Sequence, residues 1–183
     1  MNKKVLIISS TPRKGGNSDK LCDAFAEGAK EAGNEVEKVR IADLKIGYCT
    51  GCYACQKTGK CAIKDDARGV IDKMMATDVI VLASPVYFYS ICAQLKALID
   101  RTVVVYPNLT NKRFYYLLTM ADTDREKFDG PSRPCAASST AMREARRRAW
   151  SAPTACTSSA QSTARSSSPR QKNSERAHNK DLV

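Results

Sequence analysis

Histidine is nearly absent from this chain: 183 residues hold one, His178, close to the end. A body without imidazole argues against a Ser-His or Cys-His hydrolase, since both need a ring nitrogen to take the nucleophile's proton. No run of 18 apolar residues occurs, so no membrane span is expected. Lys3 and Lys4 are followed by only four apolar residues before Ser9, too few for a secretory signal. A cytoplasmic location is therefore expected, with the eight cysteines reduced or metal-bound rather than paired in disulfides. The dinucleotide fingerprint G-x-G-x-x-G is missing, and no G-K-[ST] follows the early glycines, so there is no Walker A loop.

Net charge is +11, but its distribution matters more than its size. Residues 1–130 carry 20 basic and 16 acidic side chains, while residues 131–183 carry 10 and 3. The excess belongs mostly to the last part of the chain, so the body gives no reason to expect nucleic acid or a membrane as partner. A basic tail touching RNA or anionic lipid is the alternative.

What is present begins with a strand, a loop and a helix. Val5-Leu6-Ile7-Ile8 is a continuous apolar run, as expected of a strand buried on both faces. Ser9-Ser10-Thr11-Pro12-Arg13-Lys14-Gly15-Gly16-Asn17-Ser18 follows, and then Leu21, Cys22, Phe25, Ala29 and Ala32 fall mostly on one helical face. A helix N-terminus opening from such a loop offers free N–H groups and a positive dipole end to a phosphate. Arg13 adds a charge, and Thr11, Asn17 and Ser18 add neutral hydrogen-bonding groups. The plainer reading is a capped helix, with Asn17 or Ser18 as the cap.

Further along, strands and helices alternate. A helix is expected over residues 18–32, ended by Gly33-Asn34, and strands over 35–40, 78–84 and 114–120. Helical spacing marks residues 65–76 and 94–101, and residues 47–61 read as a loop. This order predicts an α/β fold with a parallel, doubly wound sheet, its ligand at the carboxyl ends of the strands.

Two other segments carry chemistry. Cys49, Cys52, Cys55 and Cys61 form C-x2-C-x2-C-x5-C, four thiols within thirteen residues. The spacing suits a 4Fe-4S cluster. A tetrahedral zinc site or an unmetallated redox pair are the other readings. Cys22 and Cys92 lie in apolar patterns and read as core. The second segment, Ser84-Pro85-Val86-Tyr87-Phe88-Tyr89-Ser90, ends the third strand. Pro85 is expected to turn the chain out of the sheet, leaving an aromatic wall for a planar ring or a subunit interface.

Here the residues resemble a family. The S-S-T-P-R-K-G-G-N-S loop is similar to the phosphate loop of flavodoxin-like NAD(P)H-dependent FMN reductases, with Ser10 where many relatives have Gly. Residues 84–101 resemble the family's flavin-ring loop and following helix. The cysteine segment, running on through Lys64-Asp65-Asp66, is similar to the iron–sulfur flavoprotein branch. The resemblance covers residues 1–130 and implies a flavodoxin-like three-layer sandwich. It implies FMN as cofactor, its phosphate held by Thr11, Arg13, Asn17 and Ser18 and its ring by Pro85, Val86, Tyr87 and Phe88. It also implies hydride transfer from NADPH or NADH through FMN to a quinone, flavin or other small-molecule acceptor, in a homodimer or homotetramer. The alternatives are an iron–sulfur flavoprotein that carries electrons to a redox protein without nicotinamide, and a non-catalytic cysteine-based metal or redox sensor.

After Gly130 the composition changes. Residues 131–183 contain no Gly, Ile, Phe or Tyr, but 11 Ser and 8 Arg. Nothing in them can complete a core, and the family's last α–β unit has no match. A reading-frame error accounts for this: residues 131–143 can be encoded so that a neighbouring frame reads as an amphipathic helix, and residues 150–160 so that it reads as a strand. The other reading is a genuine Ser/Arg-rich tail. The expected organisation is an FMN-binding body of residues 1–130, lacking its last unit, and a low-complexity tail of residues 131–183 outside the core.

Overall fold

The computed structural model describes residues 2–121. The expectations for residues 131–183 and for the last α–β unit lie outside the described residues.

The first strand, β1 (Lys4–Ser9), runs straight into the polar loop and then into α1 (Asn17–Glu31). Helix α1 ends because Gly33 adopts φ +80, the left-handed position after a C-cap, with its N–H donating to the Lys30 carbonyl at 2.8 Å. The chain then returns as β2 (Glu35–Arg40), parallel to β1 with Val5 opposite Val36.

The segment expected to be only a loop contains a short helix, α2 (Ala54–Thr58), bounded by left-handed Tyr53 and Gly59. Five residues with no buried member leave no apolar periodicity to detect, which is why sequence pattern missed it. Helix α3 (Ala67–Ala76) follows. Lys112 closes it by donating to the carbonyls of Met75 and Thr77, both at 2.6 Å.

Strand β3 (Val79–Tyr87) pairs with β1 on one side and with β5 (Arg113–Thr119) on the other. The parallel order is therefore β2-β1-β3-β5, as in a doubly wound sheet. Contrary to the expectation that Pro85 ends the strand, β3 continues through it, with Pro85 opposite Thr119. Pairing with β1 stops at Ala83, so the missing N–H of Pro85 falls where one ladder has already ended. The turn comes at Phe88 and Tyr89 and leads into β4 (Ser90–Ile91), antiparallel to the end of β3. Helix α4 (Ala93–Arg101) then crosses to β5.

Burial shows why the central strands read as unbroken apolar runs. Leu6, Ile8, Ile80 and Leu82 face α3 and α4, packing with Val70, Ile71, Met74, Leu95 and Leu98. Val5, Ile7, Val79, Val81 and Ala83 face the opposite way, toward Cys22 and Phe25 of α1. Both faces of β1 and β3 are covered, so alternation disappears from their sequences. Three layers result, a flavodoxin-like α/β sandwich. No helix among the described residues is long and apolar enough to cross a membrane.

Candidate functional site

Parallel strands β1 and β3 end side by side, with Ser9 opposite Ala83, so the loops that follow them meet at one edge. Ser10 fastens them. Its N–H and its hydroxyl both donate to the Ala83 carbonyl, at 3.0 and 2.7 Å, and the Cys92 thiol donates to its Oγ at 3.0 Å. Ser84 secures the other side, accepting the Cys92 N–H at 3.0 Å and donating to the Pro85 carbonyl. Cys22 and Cys92 are buried, as expected of core thiols. Burial pushes Cys22 up to about 11 and leaves it unreactive.

The loop after β1 is shaped by two glycines. Gly15 sits at φ +66 with open space around it, and Gly16 caps α1 without any side-chain hydrogen bond. The cap is thus neither Asn17 nor Ser18, and no side chain at the cap fills the space in front of the first-turn amides. Thr11 and Ser18 are buried, whereas Arg13 and Asn17 are exposed. Ser18 Oγ lies 2.6 Å from Thr119 Oγ1 at the end of β5, so a third strand reaches this edge. Thr119 carried no sequence signal, because only the β3–β5 register brings it here.

Asp19 was also not foreseen. Its carboxylate accepts the Gly15 N–H at 2.9 Å and pairs with Lys38 at 2.7 Å and Arg40 at 3.1 Å, both from β2. Burial alone would raise its pKa, but Lys38, the Gly15 N–H and Arg40 outweigh it and hold the carboxyl at about 2. A carboxylate ionised throughout the neutral range therefore fixes the loop's left-handed residue.

The aromatic segment forms a hairpin tip. Phe88 and Tyr89 adopt φ 46 and 62, the geometry of a two-residue turn that usually takes Asn-Gly. Bulky side chains there are strained, and such strain is typical of ligand and contact sites. Tyr87 is half-exposed and Phe88 is 96% exposed, while Pro85 is buried and Val86 half-buried. The structure therefore brings Thr11, Arg13, Asn17 and Ser18 to the same sheet edge as Pro85, Val86, Tyr87 and Phe88.

The four clustered cysteines share a cavity of their own. Cys49, Cys52, Cys55 and Cys61 are free thiols and line one cavity of about 360 Å³, together with Arg101 of α4. Among the described residues, no three His, Cys, Asp or Glu side chains are gathered closely enough to hold a metal ion. By type the four thiols are the soft donors a thiolate-bound centre would use, and they line one space. The Ala54 N–H and the Thr50 hydroxyl hold Cys52 below the ordinary thiol range.

Arg101 is 1% exposed, and it forks onto Asp65 at 2.7 and 2.9 Å. Burial pushes the Asp65 carboxyl up, yet Arg101 and the Gly47 N–H prevail and keep it below its ordinary value. Asp65 belongs to one segment that carries the family resemblance and Arg101 ends another, but their pairing carries no such signal, because an Arg at the end of a helix reads as a surface group.

The comparisons agree with this fold. The family NADPH-dependent FMN reductase matches residues 3–126. An iron-sulfur flavoprotein of Archaeoglobus fulgidus is 43% identical over 98 residues, covering 54% of this chain and 44% of that one. One from Methanosarcina thermophila is 43% identical over 102 residues, covering 56% and 53%. The chain thus spans about half the length of the curated relatives it matches. Among solved structures, an NAD(P)H:quinone oxidoreductase from Methanothermobacter marburgensis superposes with a TM-score of 0.59 at 16% identity, covering 73% of this chain and 74% of that one, a likeness of fold. Both curated relatives are named iron-sulfur flavoprotein, and with residues 3–126 matched and the doubly wound sheet in place, the chain belongs to the NADPH-dependent FMN reductase family.

Proposed function

We propose that residues 1–130 form an FMN-binding body and that the chain is an FMN-dependent NAD(P)H oxidoreductase. One observation carries this reading: a loop with open helix amides and an aromatic hairpin, fastened through Ser10, share the carboxyl edge of β1 and β3. Thr11, Arg13, Asn17 and Ser18 would hold the flavin phosphate. Pro85, Val86, Tyr87 and Phe88 would flank the ring. Bound FMN would take hydride from NADPH or NADH and hand the electrons to a quinone, a free flavin or another acceptor.

The chain's own contribution is binding and orientation. Arg13, exposed at the loop, neutralises phosphate charge. The buried Thr11 and Ser18 hydroxyls complete its hydrogen bonds without adding charge. The Phe88–Tyr89 hairpin supplies an apolar wall that orients a planar ring and excludes water from one side. No side-chain acid or base is required for hydride transfer, in keeping with a body that lacks histidine.

The four thiols on one cavity favour a second reading, in which the chain exchanges electrons between FMN, a 4Fe-4S cluster held by Cys49, Cys52, Cys55 and Cys61, and a redox protein. A reducing compartment, the cytoplasm, suits free thiols of this kind. Assembly as a homodimer or homotetramer would bury the exposed aromatic tip. The test is the absorption spectrum of anaerobically purified full-length chain, followed by titration with FMN and riboflavin and by NADPH and NADH oxidation. FMN binding with nicotinamide oxidation supports the first reading, and FMN with cluster bands but no nicotinamide oxidation supports the second. Absence of flavin binding overturns both.

A further inference from the structure

The segment that carries the four cysteines begins and ends on one guanidinium. Arg101 Nη1 donates to the Gly47 carbonyl at 2.9 Å, two residues before Cys49. Its Nη2 donates to the Ile63 carbonyl at 3.2 Å, two residues after Cys61. Asp65 aims the fork and takes the Gly47 N–H at 2.7 Å and the Ala67 N–H at 3.2 Å. The remaining donor, Arg101 Nε, is buried with no hydrogen-bond partner, in a side chain that is 1% exposed and lines the cysteine cavity. Cys61 lines that cavity beside the same guanidinium. Asp65 neutralises the guanidinium, but a donor buried without an acceptor is costly. The sulfurs of a thiolate-bound metal would accept it.

We propose that Arg101 is the positioning residue of the cysteine centre: paired with Asp65, it clasps both ends of the segment and offers its spare buried donor to a thiolate-bound metal. This inference rests on the metal-binding reading of the four thiols. The hydrogen bonds of Arg101 go to Gly47, Ile63 and Asp65, so it acts through the loop.

Cobalt(II) is the probe, added anaerobically to the reduced full-length chain and followed by its thiolate charge-transfer band. Losing an outer partner of a metal ligand typically weakens binding about 10- to 100-fold. Arg101→Lys keeps the charge but cannot fork, so its cobalt affinity should fall by that factor. Its band at saturating cobalt should also move, because the spare guanidinium donor beside the thiols is gone; a loosened loop alone would leave the band in place. If Arg101→Lys loses its near-ultraviolet circular dichroism, Asp65→Asn carries the test, with the same direction expected. Unchanged affinity and an unmoved band overturn the proposal. A wild-type chain with four reduced thiols and no cobalt band overturns the metal reading instead. Tryptic cleavage at Lys57 and Lys60 then decides the clasp by itself: faster cleavage in the variants upholds it, and equal rates refute it.

Discussion

Replacing Asp19 with Asn tests whether an ionised carboxylate holds the loop after β1 in shape. The side chain is 10% exposed, with Lys38 and Arg40 beside it and the Gly15 N–H on one oxygen. Its pKa of about 2 lies below the ordinary value of 3.8. A depressed carboxylate pKa means that ionisation stabilises the folded state, by about 1.4 kcal/mol per unit. The contribution is therefore about 2 kcal/mol at pH 7. It is complete above pH 3.8 and is lost as pH falls toward 2, with roughly half remaining at pH 3. Urea unfolding of the wild type and Asp19→Asn at pH 7 and pH 3 measures both quantities. The gap should be about 2 kcal/mol at pH 7 and shrink by about half at pH 3. A gap that is the same at both pH values would show that the amide loses packing or hydrogen bonding rather than charge, and the electrostatic account of the loop would be wrong.

Arg13→Ala removes a charge-assisted phosphate contact worth about 1.5–3 kcal/mol, so FMN affinity should fall roughly 10- to 150-fold while riboflavin affinity is unchanged. An equal loss for both flavins in fluorescence titration would place the phosphate elsewhere. Serine at Cys49, Cys52, Cys55 or Cys61 should each lower iron and sulfide after anaerobic reconstitution. Full iron in all four single variants would refute the ligand set. Tyr89→Gly relieves a left-handed aromatic at φ 62 and should raise stability by about 1 kcal/mol, read as a shift in denaturation midpoint without a change in slope. A fall in stability would mean that packing of the ring outweighs the strain of its backbone. Leu95→Ala, at a side chain 0% exposed beneath the sheet, should cost about 2–5 kcal/mol. A loss under 1 kcal/mol would contradict the assignment of α4 to the core.

Patterns local to a few residues were enough for much of this protein. The apolar runs of β1 and β3 announce strands buried on both faces, because such strands cannot afford a polar side. Gly33 announces the end of α1, because only a residue free of Cβ strain turns left-handed there without cost. The C-x2-C-x2-C-x5-C spacing guarantees that four thiols lie close along the chain, and the cavity they share follows from that. Other features depend on register and on contacts between distant segments. Pro85 suggested a strand end, yet the strand continues because its β1 partner stops first, a fact about a neighbour rather than about proline. The left-handed turn at Phe88 and Tyr89 runs against the preference of both residues, and the antiparallel pairing of β3 with β4 imposes it. Asp19 owes its ionisation to Lys38 and Arg40, which β2 brings alongside α1. Arg101 lies 36 residues from Asp65 and reaches both ends of the cysteine segment only because α4 packs across the sheet beside it. Sequence alone determined which chemistry the chain carries, since side-chain type and short spacing are covalent facts. Which groups hold that chemistry in place was decided by tertiary structure, because a buried charge selects its partners by distance in space and not by distance along the chain.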